Sequence, residues 1–271
     1  MSIASIQSQY PNALWFDSND GTSTNAGTLD NPYTSWASVI SGAVDSDVVA
    51  VKDGSHAITS FSEQLTIVGE SLDAILTVAT EVELQNTTGV TFNDLSIESN
   101  ISSSTTVFEV QDGTYTFNRC KLQVNNYAIR GFFRSIVDNG TATVTLNECL
   151  LKVGGASTTH GAILGMAGFN DGVKFINMTN CSSVITGGSC NRFITAFQAA
   201  GQAVFKNSIF VGTGSETIGA TLTTDTNNCY YQTSHSGGTN NIFADPQFVN
   251  SANGDYRLRP TSPCIGAGTA S

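Results

Sequence analysis

One stretch of sequence copies itself down the middle of the chain, and that repeat limits the folds open to it. Thr91-Phe92-Asn93-Asp94-Leu95-Ser96-Ile97 is followed by Thr116-Phe117-Asn118-Arg119-Cys120-Lys121-Leu122 and Thr145-Leu146-Asn147-Glu148-Cys149-Leu150-Leu151. Looser copies are Lys174-Phe175-Ile176-Asn177-Met178 and Val204-Phe205-Lys206-Asn207-Ser208-Ile209-Phe210. The leading aromatic or Leu falls at 92, 117, 146, 175 and 205, in steps of 25, 29, 29 and 30. A glycine precedes each copy, at Gly89, Gly113, Gly140, Gly172 and Gly201. Units this short cannot bury an apolar face alone, so the copies must stack.

Inside a copy, Phe117, Cys120, Leu122 and Val124 are expected to face inward, with Arg119, Lys121 and Gln123 outward. Period-two alternation is a strand with one buried face. Asn118 is read as the bend, because Asn tolerates left-handed backbone angles. Stacking then sets Asn93, Asn118 and Asn147 over one another as an amide ladder. Leu95, Cys120, Cys149, Met178 and Ser208 form one inward column, with the cysteines as small buried hydrophobes. Arg119 is expected to pair with Glu148 on the surface.

The fold expected is all-β: a right-handed parallel β-helix of about seven coils, with a short N-terminal capping helix and a C-terminal hairpin cap. Residues 1–15 read as a polar leader and docking segment, 16–46 as a loop and capping helix, 47–243 as the solenoid and 244–271 as the C-terminal cap. Trp36, Val39, Ile40 and Val44 recur at helical spacing and place that capping helix.

Composition agrees with a solenoid. Charged residues are 12% of the chain, about half the usual share, whereas Asn (23), Ser (30) and Thr (33) make up nearly a third. A coiled coil would need Ala, Glu, Lys, Leu and Arg in bulk. The net charge of −11 argues against nucleic acid as a partner. No apolar run approaches the ~18–20 residues of a membrane span. Met1 to Gln7 carries no basic n-region and no apolar h-region, so no secretory signal is read and synthesis in a cytoplasm is expected. The six cysteines show no C-x-x-C spacing, so neither a zinc site nor a redox dithiol is indicated.

The two ends of the chain carry a resemblance. Trp15-Phe16-Asp17-Ser18-Asn19-Asp20-Gly21-Thr22, Asn31-Pro32-Tyr33-Thr34-Ser35-Trp36 and Val49-Ala50-Val51-Lys52-Asp53-Gly54 lead in, and Asp245 to Val249 with Gly254 to Pro263 lead out. These segments resemble those of the pectin-lyase-like superfamily of right-handed parallel β-helices, which includes polysaccharide lyases, hydrolases, epimerases, adhesins and phage spike proteins. The lyase branch implies a basic residue with carboxylate-held calcium, and the hydrolase branch implies a cluster of Asp residues. No Asp pair stands in a coil, and Asp112, Asp138 and Asp171 read as turn formers. Asp17 to Gly21 misses the spacing of a calcium loop and reads as a turn cluster. No metal and no cofactor is expected.

Arg130, His160 and Arg192 fall at roughly equivalent places on three coils, with Glu216 further on. This column is the glycan-binding candidate, because Arg holds carboxylates with two parallel bonds. Phe132-Phe133, Phe193, Phe197 and Tyr230-Tyr231 are candidate sugar platforms, most of them expected in the core, and His56 and His235 read as surface loop residues. With no secretion signal and a polar composition, the resemblance implies a noncatalytic phage virion protein: a tailspike, tail fibre or head-decoration spike. It would be a homotrimer, docked to other virion proteins through residues 1–15 and projecting toward a host-surface polysaccharide. The alternative is a polysaccharide lyase or glycoside hydrolase of the same fold. A third reading is a cellular adhesin.

Overall fold

Parallel sheets on three faces wind up one axis and define a parallel β-helix. The computed structural model describes residues 1–20, 24–85, 88–101, 106–124, 131–135, 141–154, 162–164, 174–186, 192–194, 202–213, 217–218 and 221–269, with backbone alone at 131, 134–135, 162–164, 174, 192–194, 217–218 and 221. The first sheet stacks nine strands: Leu14–Phe16, Val48–Val51, Thr66–Gly69, Gly89–Asn93, Gly113–Asn118, Ala142–Asn147, Lys174–Thr179, Gln202–Lys206 and Thr221–Thr226. The second stacks eight: Gly54–Ala57, Ala74–Val78, Ser96–Ser99, Lys121–Val124, Leu150–Val153, Ser182–Ile185, Ile209–Val211 and Cys229–Tyr231. Two three-stranded sheets carry the third face: Val82–Leu84, Thr106–Val110 and Gly131–Ser135, then Ala162–Leu164, Arg192–Ile194 and Thr217–Ile218.

The corner between the first two sheets shows how the repeat works. In the three regular copies the left-handed residue is the one after the Asn, namely Asp94, Arg119 and Glu148, whereas in later coils it is an Asn itself, Asn180, Asn207 and Asn227; all six have φ between 52° and 56°. The bend thus falls one position later than Asn118. Left-handed backbone costs about 1–2 kcal/mol at a residue with a side chain. Each corner N–H is satisfied by the next coil, as where Arg119 N donates to Asn147 O at 2.8 Å. Freed of the bend, the asparagines pair along the axis. Asn118 Nδ2 donates to Asn93 Oδ1 at 2.8 Å, and Asn147 Nδ2 donates to Asn118 Oδ1 at 2.9 Å. Thr179 takes the next place. Asn118→Ala breaks both rungs at once and is expected to cost about 1–3 kcal/mol, read as a lower urea midpoint at unchanged slope.

Register corrects two further expectations. Met178 pairs with Leu146 and Phe205, so it takes the leading aromatic place, and Phe175 lies opposite Thr143 and Gln202. Alternation decides this: Ile176 and Met178 are fully buried, matching Val144 and Leu146, and Phe175 has the wrong parity to join them. The inward corner column is therefore Leu95, Cys120, Cys149, Cys181 and Ser208, with Cys181 where Met178 was expected; the Cys149 N–H points at Cys181 Sγ and the Cys181 N–H at Ser208 Oγ. Arg119 does not pair with Glu148 as its ion partner; it grips Asp94 of the preceding coil through Nε at 2.7 Å and an Nη at 2.8 Å. Half exposed, that pair is worth under ~1 kcal/mol.

Aromatic rings stack through the lumen. Phe92 and Phe117 lie 4.9 Å apart and within 6° of parallel, and Phe133 sits 5.2 Å from Phe117. Towards the last coils, Phe205, Phe210 and Tyr230 follow one another at 4.9 and 5.0 Å, and Phe243, exposed to solvent, lies 5.9 Å from Tyr230.

Helix α2, Trp36–Gly42, packs against the core, and its N-cap Ser35 accepts from the Ser38 N–H. Trp36 meets Phe16 and Phe61 edge-on or tilted, Val39 is buried and Ile40 packs against the core, but Val44 lies past the helix end and is exposed. Helix α1, Ile3–Gln9, occupies the segment read as a leader. It lies on the outer face of the first sheet, with Ile6 packed against Ala13, Trp15, Ala50 and Val68. Phe248–Asn250 and Asp255–Leu258 form the antiparallel hairpin near the C-terminus.

Candidate functional site

Along the outer face of the second sheet, one row of side chains runs Glu98, Gln123, Lys152, Val184, Val211, Tyr231. The row is polar over the first three coils and apolar over the last three. The change occurs where the C-terminal segment crosses the sheet, because residues that are outward but covered need an apolar surface. Val184, although outward, is only 3% exposed.

Sheet and segment do not close on each other. Between them runs a cleft of about 790 Å³. Its floor is Val184, Val211 and Tyr231, Lys152 stands at one end, and Asp245, Gln247, Phe248, Ser251 and Arg259 come from the crossing segment. Internal bonds shape that wall. Asp245 Oδ1 accepts from the Gln247 N–H at 2.8 Å, the Gln247 carbonyl accepts from the Arg259 N–H at 2.9 Å, and an Arg259 Nη donates to Val249 O at 3.1 Å. Phe248 is fixed by an edge contact with Tyr256 at 5.3 Å. An apolar floor with convergent hydrogen-bonding groups and both charge signs suits a sugar, whose C–H faces rest on a ring and whose hydroxyls need donors and acceptors.

Two histidine sites lie elsewhere; His56 overturns the reading as a surface loop residue, whereas His235 does lie in a loop, partly exposed, but with an ion partner. His56 is fully buried beneath Phe16. Its Nδ1 accepts the Ser18 N–H at 3.1 Å, which leaves the proton on Nε2, 2.8 Å from the Lys52 carbonyl. The ring pins the Asp17–Asp20 turn, in which the Asn19 N–H bonds Asp17 Oδ1 at 2.9 Å. His235 Nε2 lies 2.8 Å from Asp225 Oδ2 on the last coil. Tyr230 Oη and Asn228 Nδ2 both donate to Asp225 Oδ1, each at 2.8 Å.

Of the residues singled out in the sequence, Arg130, His160 and Glu216 lie outside the described residues. The backbone of Arg192 sits in a third-face strand opposite Ala162 and Thr217, so its neighbour on the preceding coil is two positions past His160. The two tyrosines separate: Tyr230 is core and Tyr231 lines the cleft. Phe132 and Phe133 are core; the side chains of Phe193 and Phe197 lie outside the described residues. Lys152, Asp245 and Arg259 were missed. The signal was present, because the outward row turns from Lys152 to valine and tyrosine, but sequence alone does not say what covers it. Among the described residues, no group of three or more His, Cys, Asp or Glu could hold a metal ion.

No family model matches the chain, and no curated protein does. Solved structures of similar outline are pectin methylesterases. One is a mutant crystallised with a hexasaccharide, at 11% identity and TM-score 0.45, covering 86% of this chain and 81% of that one. A second, from Aspergillus niger, has 15% identity and TM-score 0.45, with 86% of each chain covered. A third, also with a hexasaccharide, has 10% identity and TM-score 0.35, covering 92% of this chain and 98% of that one.

Proposed function

We propose that the chain is a glycan-binding β-helix whose binding site is the C-terminal cleft. The observation that carries this is the apolar floor of Val184, Val211 and Tyr231 under a wall of Asp245, Gln247 and Arg259. Its volume falls within the ~300–1,000 Å³ typical of small-ligand sites. Carriage on a virion, as a homotrimer projecting toward a host-surface polysaccharide, belongs to the same proposal. Its support is mechanical: backbone bonds that run from coil to coil make a stiff rod.

Titration calorimetry against purified capsular and slime polysaccharides tests the site. Tyr231→Ala is expected to weaken binding by about 30-fold, the loss of a buried aromatic anchor, and Arg259→Ala by less. Unchanged affinity in a folded Tyr231→Ala variant would remove the cleft from consideration. A second reading, cleavage of the bound glycan, is favoured by Lys152 and Asp245 lining the same cleft, since a base and a carboxylate are what lyases and hydrolases deploy. Unsaturated-product absorbance or reducing-sugar release on the same polysaccharides decides between them.

A further inference from the structure

On the far side of the crossing segment is a second crevice, lined by Asn207, Ile209, Asn228, Cys229, Leu258 and Cys264. Cys229 belongs to the last strand of the second sheet and is buried, while Cys264 belongs to the C-terminal segment and is partly open to solvent. The two thiols face the same crevice and influence each other electrostatically, and the Cys229 thiol donates to Ala244 O at 3.3 Å. We propose that Cys229 and Cys264 are a modification site, a dithiol that oxidises to a disulfide and fastens the C-terminal segment to the solenoid.

The surroundings already hold the C-terminal segment that carries Cys264 against the solenoid. Asn207 clamps the end of the segment from both sides: its Nδ2 donates to Thr269 O at 2.9 Å, and its Oδ1 accepts the Thr269 N–H at 3.1 Å. Ser262 Oγ donates to Pro246 O at 2.6 Å and accepts the Cys264 N–H at 3.1 Å. The neighbouring Cys229 thiol draws Cys264 down to about 7, despite burial acting the other way, and the same neighbour relation pushes Cys229 up. Cys264 is thus the attacking thiolate near neutral pH. With a low-molecular-weight disulfide such as oxidised glutathione, the Cys264 thiolate attacks one sulfur and expels one glutathione thiolate. Cys229 then gives up its proton and attacks the mixed disulfide at Cys264, expelling the second glutathione. Two protein thiols are oxidised, one glutathione disulfide is reduced to two thiols, and the balance closes. Cys120, Cys149 and Cys181 also stack in one column, but all three lie inside the lumen with at most 3% exposure, which shields them from the same reagent.

The test treats the folded chain with oxidised glutathione, blocks free thiols and maps peptides without reduction. The expected result is a peptide pair joined through Cys229 and Cys264, together with a melting temperature raised by about 5 °C or more. Cys264→Ser and Cys229→Ser should each abolish the shift. Free or singly glutathionylated Cys264 without the linked pair would overturn the proposal. So would a linked pair that joins other cysteines. The readout is a mapped bond, so it succeeds or fails independently of glycan binding.

Discussion

Phe117→Ala is expected to lower the free energy of unfolding by about 3–5 kcal/mol. Phe117 is fully buried at mid-solenoid, stacked on Phe92 and ringed by Phe108 at 6.0 Å and Phe133 at 5.2 Å. The void left by its ring cannot close. Its strand is held in register on both sides, Phe117 opposite Phe92 on one and Leu146 on the other, and that ladder keeps the coils at about 4.8 Å. Phe117→Leu keeps most of the volume and should cost less than about 1.5 kcal/mol. Urea denaturation followed by circular dichroism measures both. Equal, small losses for the two variants would mean that the lumen relaxes around the ring, contrary to this packing.

Asp225→Ala should also be costly, about 2–3 kcal/mol, because it takes the shared carboxylate acceptor from a partly buried hydrogen-bonded group. The side chain is 7% exposed, and His235, Tyr230 and Asn228 all turn to it. Burial pushes this carboxyl up, but the bonds from His235, Tyr230, Asn241 and Asn228 outweigh burial and hold it below the ordinary value. The folded state therefore binds the Asp225 proton less tightly than the unfolded chain, whose Asp titrates near ~3.9. Its contribution is complete above that pH and is lost as the pH falls through the folded value. Asp225→Asn, which cannot ionise, should flatten the acid limb of the stability profile, as followed by thermal melts from neutral pH downward. An acid limb identical to that of the unaltered chain would show that Asp225 does not stabilise the last coil.

The repeat made the solenoid legible because its alternation is local. Phe92, Phe117 and Leu146 announce one inward row by themselves, and the asparagine rungs follow once the coils are set one over another. Where copies are looser, spacing misled. Phe175 resembles the leading aromatic, yet parity belongs to Ile176 and Met178. The corner was placed one residue early, because Asn is the familiar left-handed residue and here Arg119 and Glu148 take that geometry. The burial of His56 and the partner of His235 escaped for another reason. The partners of His56 and His235 lie on other elements, Ser18 in the entry turn and Asp225 in the first sheet, and no local pattern reports such a meeting. The cleft was hidden in the same way. Its floor is written in the outward row of the second sheet, but its wall comes from a terminal segment whose path across that sheet only the fold supplies.

Hydrogen–deuterium exchange with and without a bound oligosaccharide tests the central claim most directly, because it compares candidate surfaces in one experiment. Slowed exchange is expected at residues 184–186, 211–213, 231–232 and 245–259, which form the floor and wall of the cleft. Protection centred instead on the peptides that carry Arg130, His160 and Arg192, with none in the cleft, would contradict the account and return the site to the basic column.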